Sequence, residues 1–121
     1  MKTEKIIWSL DLMLNFHNCK KLQLEESFLK KIGQTLGEKI DPKSEIVGVV
    51  SEFGKHDENM SGFRLVHETQ NCLITGHFLS NNKNCFINIH SCRGYRPSEA
   101  MDLAIKELDP ENYSCQKVFR E

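Results

Sequence analysis

Cys72-Leu73-Ile74-Thr75-Gly76-His77-Phe78-Leu79, then Ser80-Asn81-Asn82-Lys83-Asn84, then Cys85-Phe86-Ile87-Asn88-Ile89-His90: two apolar runs of strand length enclose a polar turn. Phe86, Ile87 and Ile89 suit a sheet better than a helix, and both runs are short. Serine and asparagine are turn formers because their side chains bond the local backbone and asparagine tolerates positive φ. A turn this short joins antiparallel neighbours, since parallel strands need a long crossover. The hairpin therefore predicts an antiparallel sheet.

Reading outward, Gly62 to His67 is predicted as the preceding strand, with Gly54 to Met60 a polar loop and Ile46 to Phe53 a further strand. Lys5 to Phe16 reads as the first strand, interrupted by Ser9 and Asp11, and Asn15 to Lys20 reads as its break. Leu22, Leu24, Phe28, Leu29, Ile32 and Leu36 recur at helical spacing, which predicts an amphipathic helix from Leu22 to Leu36 with Gly37 as its stop and a turn at Asp41-Pro42. After a loop from Ser91 to Arg96 containing Gly94, Pro97 stands at a first-turn position and opens a second helix carrying Ala100, Met101, Ala104, Ile105 and Leu108. Asp109-Pro110 ends it, and Tyr113 to Phe119 is the last strand. Strand, helix, a run of strands, helix, strand predicts one α+β domain over residues 1–121: a two-layer sandwich, mainly antiparallel, with both helices on one sheet face. The other face needs a partner if it is apolar.

The composition bounds the function. With 39% hydrophobic and 27% charged residues the chain is globular in type rather than disordered. Sixteen basic against 17 acidic residues leave a net charge of -1, without the basic excess of a nucleic-acid footprint. Met1 to Asn15 is too short and too polar to span a bilayer and lacks the pattern of a secretory signal, so a cytoplasmic protein is expected. The five cysteines are odd in number and none has C-x-x-C spacing; no metal site is expected, and all five can be free thiols in a reducing compartment.

From Ser61 onward the chain resembles the bacterial and archaeal S-adenosylmethionine decarboxylases. In that family a Ser-Gly starts a strand, and six residues later comes the Glu-Ser-His at which the chain cleaves itself. Ser61-Gly62-Phe63-Arg64-Leu65-Val66-His67-Glu68-Thr69-Gln70 fits that frame without a gap, with Glu68-Thr69-Gln70 where Glu-Ser-His is expected. A strand ending in Phe-Thr-Cys-Gly before a proline-led helix is matched by Asn88-Ile89-His90-Ser91-Cys92-Arg93-Gly94 and Pro97-Ser98-Glu99-Ala100. A histidine fifteen residues before the cysteine is matched by His77, given about three inserted residues between Thr69 and His77. The chain departs from the pattern in three further respects: Gln70 replaces a histidine, Asn88 an aspartate, and no Thr-Trp-Pro-Glu follows His77.

The resemblance implies a chemistry. A hydroxyl attacks the preceding carbonyl, the resulting ester eliminates, and a pyruvoyl-type group remains at the new N-terminus. Its ketone serves as electron sink for decarboxylation of an amino acid. No other bound cofactor is expected. Thr69 has the required hydroxyl and would yield a 2-ketobutyryl group; its β-branch restricts the side chain, and the alternative is an ordinary strand-end threonine. By resemblance Cys92 is the proton donor, His77 a base for the elimination, and Ser61 a polarising group at the scissile carbonyl. Each of the three also has a structural reading. His67 and Glu68 are candidate ligand contacts, or simply strand-end residues. Arg64, Arg93 and Arg96 are candidates to recognise a carboxylate, and Trp8, Phe16 and Phe53 to meet adenine or a sulfonium, with core packing the alternative.

Two functions follow. One is a decarboxylase of S-adenosylmethionine, or of a related amino acid, in polyamine (spermidine) synthesis. The other is an unprocessed, inactive paralogue that binds a ligand or regulates an active subunit. A homodimer with sheets or sheet edges meeting is implied by the family. Thr69, His77 and Cys92 are expected to converge on one cleft. The isolated chain is expected to be intact, and Thr69→Ser alone to cleave partially over hours at most.

Overall fold

Strand alternation builds the molecule around one covered sheet face. In the computed structural model, which describes residues 9–42, 47–57 and 59–121, β1 (Ser9–Cys19) turns Leu10, Leu12, Leu14 and Phe16 inward and Asp11, Met13 and Asn15 outward. α1 (Glu26–Ile40), β2 (Val47–Phe53), β3 (Gly62–Glu68), β4 (Cys72–Leu79), β5 (Cys85–Ser91), α2 (Pro97–Leu108) and β6 (Pro110–Arg120) follow. The six strands form one sheet in the order β2-β3-β4-β5-β1-β6, every neighbouring pair antiparallel. The decisive hairpin pairs Cys72 with Ser91 and Phe78 with Cys85.

α1 lies over β2, β3 and β4, while α2 packs against α1 and β1. Leu29, Ile32, Leu36 and Ile40 of α1 and Ala100, Ala104 and Leu108 of α2 meet Leu12, Leu14, Ile74, Phe78, Ile87 and Ile89 in one core. This is the expected two-layer α+β sandwich. The opposite face carries Val49, Val66, Leu73, Phe86 and Val118, each more than a third exposed. Among the described residues no helix is long and apolar enough to cross a membrane.

Four boundaries differ from expectation by more than one residue, the end of α1 among them. β1 does not break at Asn15 but runs to Cys19, because β6 pairs with it along its whole length, from Ser9 opposite Arg120 to Cys19 opposite Pro110. Lys5 to Trp8 lie outside the described residues, as does Ile46. β6 correspondingly begins at Pro110, a residue tolerated at the first position of an edge strand because it needs no donor there. α1 begins at Glu26 rather than Leu22. The amides of Lys20 and Lys21 bond Asp109 and Leu108 at the end of α2, and that of Leu22 bonds Cys19, so these residues form a connector. Leu22 is buried all the same, which explains its place in the apolar pattern.

Gly37 does not stop α1, which continues one turn to Ile40. The glycine serves packing instead. The His67 ring, on the covered face of β3, lies against Gly33 and Gly37; a Cβ at Gly37 would stand 2.6 Å from Nε2 and one at Gly33 3.0 Å from Nδ1. The missing methyls let α1 approach the sheet at this level. In a helix interior alanine is favoured over glycine by up to about 1 kcal/mol, whereas overpacking costs about 1–3 kcal/mol. Gly37→Ala is therefore expected to destabilise the wild-type chain but to stabilise a His67→Ala chain. Urea unfolding of the four members of that double-mutant cycle checks it, and the same sign in both backgrounds would reject the contact.

Candidate active site

Three chain segments meet at one carboxylate. Asp41 caps the C-terminus of α1, its amide bonded to Gly37 O, and only 3% of the residue is exposed. Its Oδ2 accepts a hydrogen bond from Thr69 Oγ1 at 3.0 Å and two more from Asn71, through the amide at 3.1 Å and Nδ2 at 3.3 Å. Arg93 Nη1 stands 3.4 Å from Oδ1. Buried charge is tolerated when it is paired and hydrogen-bonded, and this arrangement supplies both.

Thr69 lies one residue beyond β3, and its amide bonds Cys72 O at 2.9 Å across the tight β3–β4 connection. The loop after β5 joins it: Cys92 N–H donates to Asn71 O at 2.9 Å, while Ser91 Oγ bonds both the carbonyl and the amide of Arg93. Glu68, Thr69, Gln70, Asn71, Cys72, Leu73, His90 and Cys92 line one open cleft. The Cys92 thiol is exposed there. Burial, with the Asp41 charge adding to it, pushes the Cys72 thiol up to about 12, so this neighbour stays protonated and inert.

The cleft thus brings together Thr69, Cys92 and Glu68. The other expected members lie elsewhere. Ser61 is at the far end of β3, on the order of 25 Å along the strand from Thr69, bonded to Ser80. His77 stands four positions along β4 from Leu73, on the open face, opposite Arg64 and Phe86 and edge-on to the Phe53 ring at 5.6 Å between centroids. The expected convergence of Thr69, His77 and Cys92 is therefore not found. Counting fifteen residues back from Cys92 crosses a strand turn, and the antiparallel register carries His77 away from the end of the sheet where Thr69 and Cys92 sit.

His67, expected as a ligand contact, is 1% exposed on the helix side. Of the arginines, Arg93 serves Asp41, Arg64 stacks over Phe53 at 5.4 Å, and Arg96 reaches Glu99 at 3.8 Å. Phe16 is fully buried, and Trp8 lies outside the described residues.

Two residues were missed. Asp41 read only as a turn former, and nothing local marks its side chain as aimed at Thr69. His90 read only as a strand end, yet it lines the cleft, and its Nδ1 bonds Asp11 Oδ1. Burial raises the Asp11 carboxyl, but the hydrogen bonds from Arg120 and His90 outweigh it and hold the group below its usual range. The alternation in β1 that puts Asp11 on the open face was the one available signal.

The family model described as S-adenosylmethionine decarboxylase matches residues 10–121. A crystal structure of the adenosylmethionine decarboxylase from Aquifex aeolicus VF5 superposes with a TM-score of 0.74 at 14% identity, covering 94% of this chain and 91% of that one. No curated protein matches the sequence.

The His67 ring carries a prediction of its own. Neither ring nitrogen has a hydrogen-bond partner among the described residues, and burial holds its pKa below the ordinary histidine value despite the opposing charge of Glu38. Between the folded value and the unfolded value of about 6.5 the unfolded chain binds the extra proton. The stability from a neutral His67 is thus fully present above about pH 6.5 and lost as pH falls through the folded value. Urea midpoints should drop between pH 7 and pH 5, less steeply in His67→Leu; His77, also lowered by burial and by Arg64, keeps part of the slope in both chains. Equal slopes would show that His67 is not the group that titrates.

Proposed function

Because the chain belongs to the S-adenosylmethionine decarboxylase family, we propose that it is a cytoplasmic carboxy-lyase of polyamine (spermidine) biosynthesis, acting on S-adenosylmethionine or a related amino acid in the cleft between Thr69 and Cys92. The observation that carries this reading is the Thr69 hydroxyl, bonded at 3.0 Å to a buried carboxylate, with an exposed thiol lining the same cleft; by resemblance, residue 69 takes the place of the family's self-cleavage serine.

Residues at Thr69 fit the formation of a keto group. Attack of Oγ1 on the Glu68 carbonyl converts the peptide bond to an ester. Elimination of the Glu68 carboxylate, then addition of water with loss of ammonia, leaves a 2-ketobutyryl group on residue 69. That group supplies the electron sink for decarboxylation. Cys92 holds the proton that is returned to the substrate carbon, and His90, oriented by Asp11, is the imidazole at the cleft in place of the distant His77. The β-methyl of Thr69 restricts rotation toward the carbonyl, so processing is slow.

A second reading, an unprocessed paralogue that binds ligand or regulates an active subunit, is favoured by the positions of Ser61 and His77 and by Gln70 in place of a histidine. Denaturing mass spectrometry separates the two. The freshly isolated chain is expected near its intact 14.0 kDa, with fragments meeting at residue 69 accumulating over days and carbon dioxide released from S-adenosylmethionine in proportion. A chain that stays whole supports the second reading. Thr69→Ser, which removes the methyl but restores neither Gln70 nor Asn88, is expected to cleave partially over hours; complete cleavage with rapid turnover would mean that one methyl was the sole obstacle.

The homodimer is proposed to form through the open sheet face, where Val66 and Phe86 are each more than a third exposed. Light scattering at micromolar concentration should report twice the chain mass, and Phe86→Lys should give the monomer. A wild-type monomer under these conditions would count against the dimer.

A further inference from the structure

We propose that Asp41 is the general base of the Glu68–Thr69 rearrangement, a role that rests on the processing reading above. The assignment comes from geometry. Oδ2 of Asp41 is the acceptor of the Thr69 hydroxyl proton at 3.0 Å, a normal hydrogen-bond distance to the atom that must become nucleophilic. Thr69 Oγ1 is also 3.5 Å from Cys72 O, but a carbonyl oxygen cannot retain a proton at neutral pH, whereas a carboxylate can. The carboxylate is held still from every side: Asn71 donates twice to the same oxygen, Arg93 faces the other, and the backbone of Asp41 is tied to Gly37. A group so placed can accept a proton without moving.

The step balances within the chain. Asp41 Oδ2 takes the hydroxyl proton as Thr69 Oγ1 bonds to the carbonyl carbon of Glu68. The bond from that carbon to the Thr69 nitrogen then breaks, and the proton passes to the departing nitrogen. An amide is exchanged for an ester and a free amine, with no oxidant, reductant or water consumed.

Cleavage is best followed in the full Thr69→Ser chain, where the methyl no longer limits the rate, and by intact mass with and without hydroxylamine. Hydroxylamine splits the ester directly, leaving a hydroxamate on Glu68, so this readout is independent of elimination and of decarboxylase activity. Adding Asp41→Asn keeps the shape and an acceptor for the hydroxyl but removes the base; cleavage and trapping are expected to slow by about 100-fold. Circular dichroism reports whether that chain folds. Asp41→Ala in the same background provides the second arm: formate should raise its cleavage rate with concentration, and should not do so in the asparagine chain.

Undiminished trapping in folded Asp41→Asn, or no response of Asp41→Ala to formate, overturns the role of Asp41 while leaving self-processing intact. If the Thr69→Ser parent neither cleaves nor forms a hydroxamate, processing itself fails and the assignment falls with it.

Discussion

The close approach of α1 to β3 governs both the core and the cleft. The His67 ring fills the space that side chains at Gly33 and Gly37 would occupy. This seats α1 low on the sheet, buries Leu29, Ile32 and Leu36, and brings the helix end to the end of β3. Asp41 is the residue at that end, and Thr69 follows β3. A helix held farther out by methyl groups would carry the carboxylate away from the hydroxyl. The same contact leaves His67 without hydrogen-bond partners among the described residues, a cost of about 1–3 kcal/mol.

A single layer of helices divides the sheet's residues into two populations. Facing the helices, side chains such as Leu12, Leu14, Phe16, Leu65, His67, Ile74, Phe78, Ile87 and Ile89 are fully buried, while Tyr113 and Phe119 of the edge strand β6 stay exposed. On the other side, apolar Val66, Leu73 and Phe86 share the face with Asp11 and with His90 and Arg120, which both bond Asp11. His90 belongs to that open face and yet borders the Thr69 cleft, because the cleft sits at the sheet's end where the two faces meet. Burial of the open face would therefore also alter the surroundings of the site.

Cysteine chemistry shows how position outweighs residue type. Cys19 and Cys85 are fully buried with their sulfurs 3.7 Å apart, and the hydrogen bond between them lowers the Cys19 thiol while raising that of Cys85. Cys72 is raised by burial. Cys92 alone of the cleft's thiols is exposed, for the loop after β5 turns it outward while its amide anchors to Asn71.

From the residues alone, the period-two alternation and the Ser80–Asn84 turn determined the antiparallel sheet, and the 3.6-residue apolar pattern determined two helices on it. Those are local periodicities, and a chain with one apolar stripe per element has few ways to bury them. Glu68-Thr69-Gln70 and Cys92 stand out in the sequence because their signals are contiguous, and the fold brings Glu68, Thr69, Gln70 and Cys92 to one cleft. Asp41, 28 residues from Thr69, carried no such signal, since a hydrogen bond between the two depends on how low a helix sits on a sheet. The histidines show a related limit: spacing along the chain names His77, while strand register brings His90 to the cleft. Gly37 read as a helix stop because local rules price its flexibility, whereas only packing against His67 reveals why a side chain is missing there.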